Sequence, residues 1–426
     1  MKNTNLSEEK NIGLKAVADA VGGELGVEIA EALAELYSIY TPDTVEWLAN
    51  LYDPKIGGFY YSNSARDNES VIHNEKEYKL LPDAESTRQA LNFIDTSGMG
   101  DGTENGYVNI IPDWMKAQVA SFIKGLQDPD GYFYHEQWGK EIGISRRARD
   151  LNWCTRILGA LGERTNYPTI FNKKSGETTS ETLIPEHLSS PEKFAEYLKE
   201  LNLAEYSYKG GNALSSQAAQ IRACGLSDQM MEYLNSMQHA DTGLWHHTAN
   251  YYGVNGLMKI SGVYEGSHMV LPNSVAAAES AFDAIISEEP IDAVVSLWNT
   301  WEAITRIVDN LRKNGGEEGE RTAQEIYAKM RARAPEAIRR SKEKIEKFKK
   351  ADGGFSYKPA FASPTSQGVP VCIPYLPEGD VNATIISGPL LLKSIYAALN
   401  LKSVAVPMYG EEERKRFLAV MENNKA

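Results

Sequence analysis

The sequence predicts an all-α protein made of about six helical hairpins. Apolar residues make up 42% of the 426 residues, which is enough for a large packed core. A motif of helix, glycine turn and aromatic recurs along the chain, and strand signals are confined to Phe355–Tyr357 and Val369–Tyr375. Together these observations favour a helical repeat protein over an α/β or all-β fold.

Four copies of the motif can be read directly. Each has an apolar, helix-like segment, then a polar turn with glycine, then an aromatic residue, at positions 47–61, 122–134, 233–245 and 345–357. Aspartate with proline or glycine supplies the turn conformations that end a helix. The aromatic side chain that follows is expected to pack back between neighbouring helices.

The spacing of the turn glycines indicates how many hairpins there are. Gly58, Gly131, Gly243 and Gly354 are separated by 73, 112 and 111 residues, and the two longer gaps are each about twice 56. We therefore expect one degenerate copy in each long gap, at 194–211 and in a helix pair around 273–313 that is broken at Pro290. A leading helix is expected at 14–37, and the second helices of the hairpins at 83–94, 149–158, 212–224, 255–264, 291–311 and 382–399.

Hairpins that cannot bury their apolar faces alone either stack as an open solenoid or close into a ring. The segments 90–94 and 385–392 are apolar and carry small residues, as the inner helices of a ring require. The arrangement resembles the α/α-toroid families, namely terpenoid cyclases, prenyltransferase β subunits, and six-hairpin glycosidases and polysaccharide lyases. The resemblance implies an (α/α)6 toroid at 41–402, with an N-terminal helix at 1–40 packed on the ring and a C-terminal tail at 403–426.

Composition narrows the function classes. A net charge of −14 disfavours binding to nucleic acid or to an anionic membrane. Three widely spaced cysteines argue against a disulfide framework or a cysteine-based zinc site. The polar N-terminus and the lack of an 18-residue apolar run predict a soluble, cytoplasmic protein without membrane partners.

Two segments differ from the rest of the chain. Residues 320–350 contain eleven Lys and Arg and five Glu, a net charge of +6, with helical spacing interrupted at Pro335. We interpret this segment as a solvated outer face rather than a binding site for acidic partners. Five prolines lie in the loop 358–379, which is long for a connection without structure and is therefore expected to form a rim or lid of the cavity.

In toroids of this kind, the N-termini of the inner helices line one mouth of the central cavity. Glycoside hydrolysis needs two carboxyl groups there, and the candidates are Asp83, Glu85, Asp150 and Asp380. A polysaccharide lyase would instead use a histidine–tyrosine pair, and the candidates are His246, His247 and Tyr251. Residues expected to contact a substrate are Arg88, Arg146, Asn152, Trp153, Asn255, Trp298, Trp301 and Tyr375. Each candidate also has a structural interpretation, with Asp83 and Asp380 as helix caps and the histidines as turn residues.

The terpenoid alternative is disfavoured by motifs. No DxDD or DDxxD cluster is present, and Asp150 and Cys154 lack the DxC partner of a prenyltransferase zinc site. The sequence thus predicts a carbohydrate-active enzyme, hydrolase or lyase, acting on an oligosaccharide or another small molecule without a cofactor or metal. The alternative is a non-catalytic or terpenoid-type toroid that binds an apolar ligand or a protein.

Overall fold

The computed structural model describes residues 6–425, and most of them are helical, which confirms the all-α prediction. Residues 1–5 of the predicted N-terminal segment and residue 426 of the predicted tail lie outside the described part. The helices are α1 (Glu8–Val21), α2 (Gly23–Tyr37), α3 (Asp43–Ala49), α4 (Asn63–Asp67), α5 (Ala84–Thr96), α6 (Asp113–Gly125), α7 (Ile144–Ala160), α8 (Pro191–Glu200), α9 (Leu203–Ala223), α10 (Ser227–Met237), α11 (Tyr251–Glu265), α12 (Ser274–Ile286), α13 (Val294–Asn314), α14 (Gly316–Ala332), α15 (Ala334–Ile345), α16 (Val381–Ile385), α17 (Leu391–Ala398) and α18 (Glu411–Asn424).

Strands are short and occur as three antiparallel pairs within residues 6–425. They are β1 (Tyr52–Asp53) with β2 (Gly58–Phe59), β3 (Ser70–His73) with β4 (Lys76–Lys79), and β5 (Thr365–Ser366) with β6 (Val369–Pro370). A π-helical turn, Ile386–Leu390, joins α16 to α17. No helix in the described range is both long and apolar enough to cross a bilayer.

The four predicted turns share one local structure. Tyr52 pairs with Phe59, Gln127 with Phe133, and Lys349 with Phe355, while the main chain of His239 bonds that of Leu244 at 2.8 Å. Each turn contains a glycine at positive φ, where a side chain would be strained: Gly57 (+91°), Gly131 (+89°), Gly243 (+67°) and Gly353 (+101°). The repeat seen in the sequence is therefore a repeat of structure.

The chain forms two compact units, which we describe separately. Unit 1 comprises the described residues up to Ile39, Pro185–Lys347 and Leu391–Val406. In it α11 packs between α9 and α13, α12 and α17 pack on α13, and α2 packs on α1 and α15. The predicted break at Pro290 lies between α12 and α13, and the basic segment forms most of α14 and all of α15, as expected.

Two expectations for unit 1 are wrong. The leading helix is two helices, because Gly22 at φ +79° ends α1. The glycine turn expected at the end of the degenerate copy at 194–211 lies inside α9. Glycine here serves close helix packing, since a Cβ on Gly211 of α9 would lie 3.1 Å from Ile260 Cγ1, and a Cβ on Gly256 of α11 would lie 2.3 Å from Ser207 Oγ.

Unit 2 comprises Tyr40–Ile184, Phe348–Leu390 and the described residues from Pro407 onward. Here α5 packs against both α7 and α16, and α18, within the predicted tail, packs on α3. Helix α5 begins where predicted, directly after its cap Asp83, whereas α7 begins at Ile144, five residues before the predicted start. The strand expected at Phe355–Tyr357 is a single bridge, and that at Val369–Tyr375 is limited to β6. The closed ring stays a prediction.

Candidate functional site

Unit 2 gathers three of the predicted carboxylates around the guanidinium group of a fourth predicted site residue, Arg146. Arg146 donates from Nε to Asp150 Oδ2 at 3.0 Å, from Nη1 to Glu85 Oε2 at 3.0 Å, and from Nη2 to Asp83 Oδ1 at 2.9 Å. All four side chains are at most 2% exposed. We call Arg146, Asp83, Glu85 and Asp150 the Arg146 cluster. One buried cation is thus shared by three carboxyl groups, an arrangement that arginine's planar, multi-donor group allows.

Local sequence explains how the members of the Arg146 cluster converge. Asp83 caps α5 by accepting from the main-chain N–H groups of Glu85 (2.9 Å) and Ser86 (3.1 Å). Glu85 lies in the first turn of α5. Arg146 and Asp150 are four residues apart on α7 and therefore share one face of that helix. The packing of α5 on α7 brings the two pairs together.

Burial and the nearby charges shift the pKa values of Asp150 and Asp83 in opposite directions. Burial raises the pKa of Asp150 to about 7, against the opposing attraction of Arg146. Burial also acts to raise the pKa of Asp83, but Arg146 and the hydrogen bonds from Ser86 outweigh it and hold that pKa below its usual value. Burial disfavours the charge on Arg146, yet the carboxyl groups raise its pKa overall. The Arg146 cluster thus combines a carboxyl group whose pKa is lowered, Asp83, with one whose pKa is raised to about 7, Asp150.

A histidine that the sequence analysis did not single out lies against this cluster. His135 is 1% exposed, and its Nε2 is 3.6 Å from Asp150 Oδ2. Burial, and then the nearby charge of Arg146, lowers the pKa of His135 to about 3, so the ring is neutral at physiological pH. Within residues 6–425, neither its ring nitrogens nor Asp150 Oδ1 has a hydrogen-bond partner. No local sequence pattern marks His135, because tertiary packing alone places it here.

Asp380, the fourth predicted carboxylate, lies in the same unit. It caps α16 by accepting from Ala383 N at 2.7 Å, and its Oδ2 accepts from Tyr357 N at 2.8 Å. Burial raises its pKa to about 7. The buried Tyr61 interacts electrostatically with both Asp380 and Glu85, and burial followed by these charges raises the pKa of the tyrosine.

The lyase candidates lie in unit 1, and their polar groups have protein partners. His246 Nδ1 accepts from Thr248 N at 3.0 Å within its turn. His247 is more than half exposed, with Nδ1 2.9 Å from the carbonyl of Ala204. The hydroxyl of Tyr251 accepts from Lys344 Nζ at 2.6 Å.

The predicted substrate contacts are divided between the units. In unit 1, three of them bond neighbouring polar side chains: Asn255 with Asn299 (2.9 Å), Trp298 with Ser394 (3.2 Å) and Trp301 with Ser341 (3.0 Å). In unit 2, Arg88 donates to Asn105 Oδ1 at 3.3 Å, the Trp153 ring lies 5.6 Å from the guanidinium of Arg149, Asn152 is half-buried on α7, and Tyr375 is 73% exposed. Arg146 is the member of this predicted set that bonds the carboxylates.

Comparison with known protein families, with curated proteins and with solved structures found no match to this chain. In the described part of the chain, no group of three or more His, Cys, Asp or Glu is arranged to hold a metal ion.

Proposed function

We propose that this chain is a carbohydrate-active enzyme of the glycoside hydrolase type, with Asp150 as its general acid and Glu85 as the partner carboxylate. The observation that carries the proposal is that Asp150, whose pKa burial raises to about 7, shares the guanidinium of Arg146 with Glu85. A carboxyl group that retains its proton near neutral pH can protonate the leaving oxygen of a glycosidic bond.

The shared guanidinium also limits the separation of the two carboxyl groups. They cannot be further apart than two hydrogen bonds of 3.0 Å plus the width of one guanidinium group. That limit is compatible with the roughly 5–9.5 Å that glycoside hydrolases use between their two carboxylates. Glu85 Oε1 lacks a hydrogen bond among the described residues, although Arg149 Nη1 lies 3.5 Å away. This oxygen is the free position for a nucleophile or a general base.

The hydrolase is favoured over the lyase by the partners of the candidate residues. The hydroxyl of Tyr251 is bonded to Lys344, and His246 Nδ1 is bonded within its own turn. These partners support the hydrolase over a base and acid pair made of Tyr251 and His246. The net charge of −14 also repels uronic-acid polymers, so we propose a neutral oligosaccharide as the substrate.

The test uses neutral oligosaccharides labelled at the reducing end, with cleavage followed by mass spectrometry. We expect wild-type protein to cleave at least one, and Asp150→Asn to lose on the order of 100-fold in rate because the acid is removed. Asp113→Asn is the matched control, since Asp113 is also in unit 2 but its side chain is 96% exposed. An unchanged rate in Asp150→Asn would overturn the assignment of Asp150 as the general acid. No cleavage of any sugar by folded wild-type protein would overturn the proposed function and favour a binding protein.

A further inference from the structure

The residues 358–379, which we call the strap, cover the Arg146 cluster. Ser366 Oγ donates to Glu85 Oε2, the same oxygen that Arg146 bonds. Trp138, whose ring lies 4.4 Å from the Arg146 guanidinium, donates from Nε1 to the carbonyl of Pro370 at 3.0 Å. Four buried strap residues also share an apolar cluster with Tyr61 and Trp138: Ala362, Val369, Val371 and Cys372. The strap therefore contributes to the burial of the Arg146 cluster.

Main-chain hydrogen bonds of the strap join strap residues to each other. Strands β5 and β6 pair, Val371 N bonds Pro364 O at 3.0 Å, and Lys358 N bonds Phe361 O at 3.0 Å. The described hydrogen bonds that tie the strap to the rest of unit 2 involve side chains instead, as at Ser366. The strap can therefore move as a folded piece without breaking a helix or a strand pair of unit 2.

One group of bonds fixes the C-terminal end of the strap. The carboxylate of Glu378 accepts from Ser62 Oγ at 2.9 Å, Ser64 N at 2.8 Å and Ser64 Oγ at 2.5 Å. Ser64 Oγ in turn accepts from Ile373 N of the strap at 3.1 Å. We call Glu378, Ser62 and Ser64 the latch. Hydrogen bonds to a charged group are among the stronger ones, so the latch is well suited to hold the strap closed.

We infer that the strap is a lid, closed in this structure and held by the latch, which opens to admit a ligand to the Arg146 cluster. The cluster side chains are at most 2% exposed, so a ligand cannot reach them while the strap stays in place. The identity of that ligand as a sugar rests on the proposed function, whereas the opening of the strap does not.

Two buried cysteines of unit 2 make the opening measurable. Cys372 lies on the strap and Cys154 lies on α7, and both are 0% exposed. Native protein would be treated with iodoacetamide and the modified peptides quantified by mass spectrometry. We expect Cys372 to react faster than Cys154, because only the strap must open for the former.

Removing the charge of the latch tests what holds the strap. Glu378→Gln should raise the Cys372 rate by about tenfold, the effect of losing one charge-assisted bond, and leave Cys154 unchanged. The rates are compared at equal thiolate fraction, because burial, and then the charge of Glu378, raises the pKa of Cys372. The matched control is Glu136→Gln, because Glu136 is a largely exposed glutamate of the same unit.

Equal rates at the two thiols of wild-type protein would show that Cys372 is exposed only by unfolding of the unit, and would overturn the inference. The same holds if Glu378→Gln matches the control. If Glu378→Gln does not fold, as judged by circular dichroism, the wild-type comparison decides alone. Both readouts are independent of turnover, so an absence of sugar cleavage with an opening strap removes the proposed function and leaves the lid.

Discussion

Arg146→Met tests whether the Arg146 cluster depends on its single cation. The substitution keeps much of the aliphatic stem but removes the donors that reach Asp150, Glu85 and Asp83. Three carboxyl groups that are at most 2% exposed then face one another, with Arg149, 3.5 Å from Glu85 Oε1, as the cation that remains beside them. Arg147→Met is the matched control, because Arg147 is the next residue of α7 and its guanidinium lies over the ring of Tyr132 instead.

The expected magnitude follows from the geometry. The three charge-assisted bonds, at about 1.5–3 kcal/mol each, add up to more than the typical cost of breaking a buried ion pair. The net loss is smaller than their sum, because removing the arginine also removes the free-energy cost of burying its charge. We therefore expect Arg146→Met to lower the free energy of unfolding by about 3–5 kcal/mol at pH 7. Arg147→Met should cost less than about 1 kcal/mol, the value of one cation–π contact made by a partly exposed arginine.

Urea unfolding, followed by circular dichroism and by tryptophan fluorescence, measures both variants. The pKa of Asp83 is depressed in the wild type, so the stability that it contributes is present above the unfolded-state pKa and is lost as pH falls through the folded value. The variant's buried carboxyl groups can also take up protons in acid, so the deficit of Arg146→Met should shrink from pH 7 to pH 4. A deficit equal to that of Arg147→Met, or one that does not change with pH, would refute the electrostatic account.

Three further predictions use other features. Burial raises the pKa of Asp150 to about 7, so between about pH 4 and 7 the native state holds a proton that the unfolded chain has lost. The free energy of unfolding should therefore fall as pH rises across this window. In urea unfolding, Asp150→Asn should show a weaker dependence of stability on pH than the wild type. Gly353→Ala should lower the free energy of unfolding by more than about 1 kcal/mol, because the φ of Gly353 is +101° and a Cβ there would lie 2.9 Å from main-chain atoms. Gly139→Ala is the control and should cost less in the same assay, because Gly139 is also at positive φ but faces open space. Lys344→Met should cost about 1–3 kcal/mol in urea unfolding, since Lys344 Nζ bonds two main-chain carbonyls at the end of α12 and would leave them unsatisfied; a neutral effect would contradict that role.

The elements that the sequence predicts best have local causes. The turn glycines, the cap at Asp83 and the break at Pro290 act through the conformations of a few adjacent residues, so their patterns are legible without tertiary knowledge. Glycines with a packing role mislead the same logic. Gly210 and Gly211 look like a turn, but both lie in α9, where Gly210 packs on Leu203 and Gly211 lies against α11. The hairpin of β3 and β4 escaped prediction because its turn residues at positive φ are Asn74 and Glu75 rather than glycine.

The candidate site also contains residues that local sequence predicts and residues that only tertiary packing places. Asp83, Glu85, Arg146 and Asp150 could be proposed because each lies near the start of a predicted second helix or its preceding loop. His135 and Ser366 come from segments without periodicity, and their positions depend on how the strap and α7 pack in unit 2. Sequence spacing alone could not select Asp150 over Asp380 either, because the difference lies in which partners each carboxylate finds in the folded chain.

The structures of the repeat copies distinguish Asp150 from Asp83 and Asp380. Asp83 precedes Thr87 by four residues and Asp380 precedes Thr384 by four; in both cases the threonine hydroxyl accepts from the aromatic residue of the preceding turn, Phe59 or Phe355. Asp83 and Asp380 are therefore equivalent caps whose conserved geometry within the molecule serves the hairpin itself.

Asp150 occupies no such position. It lies in the interior of α7, bonds Arg146 through one oxygen, and leaves Oδ1 without a hydrogen bond among the described residues. Burying a carboxyl group lowers the stability of the fold when one of its oxygens has no hydrogen bond. In Asp150 no helix cap compensates for this cost. Strain of that kind is expected where function, rather than folding, places the residue, so Asp150 is the carboxylate of this cluster to test first.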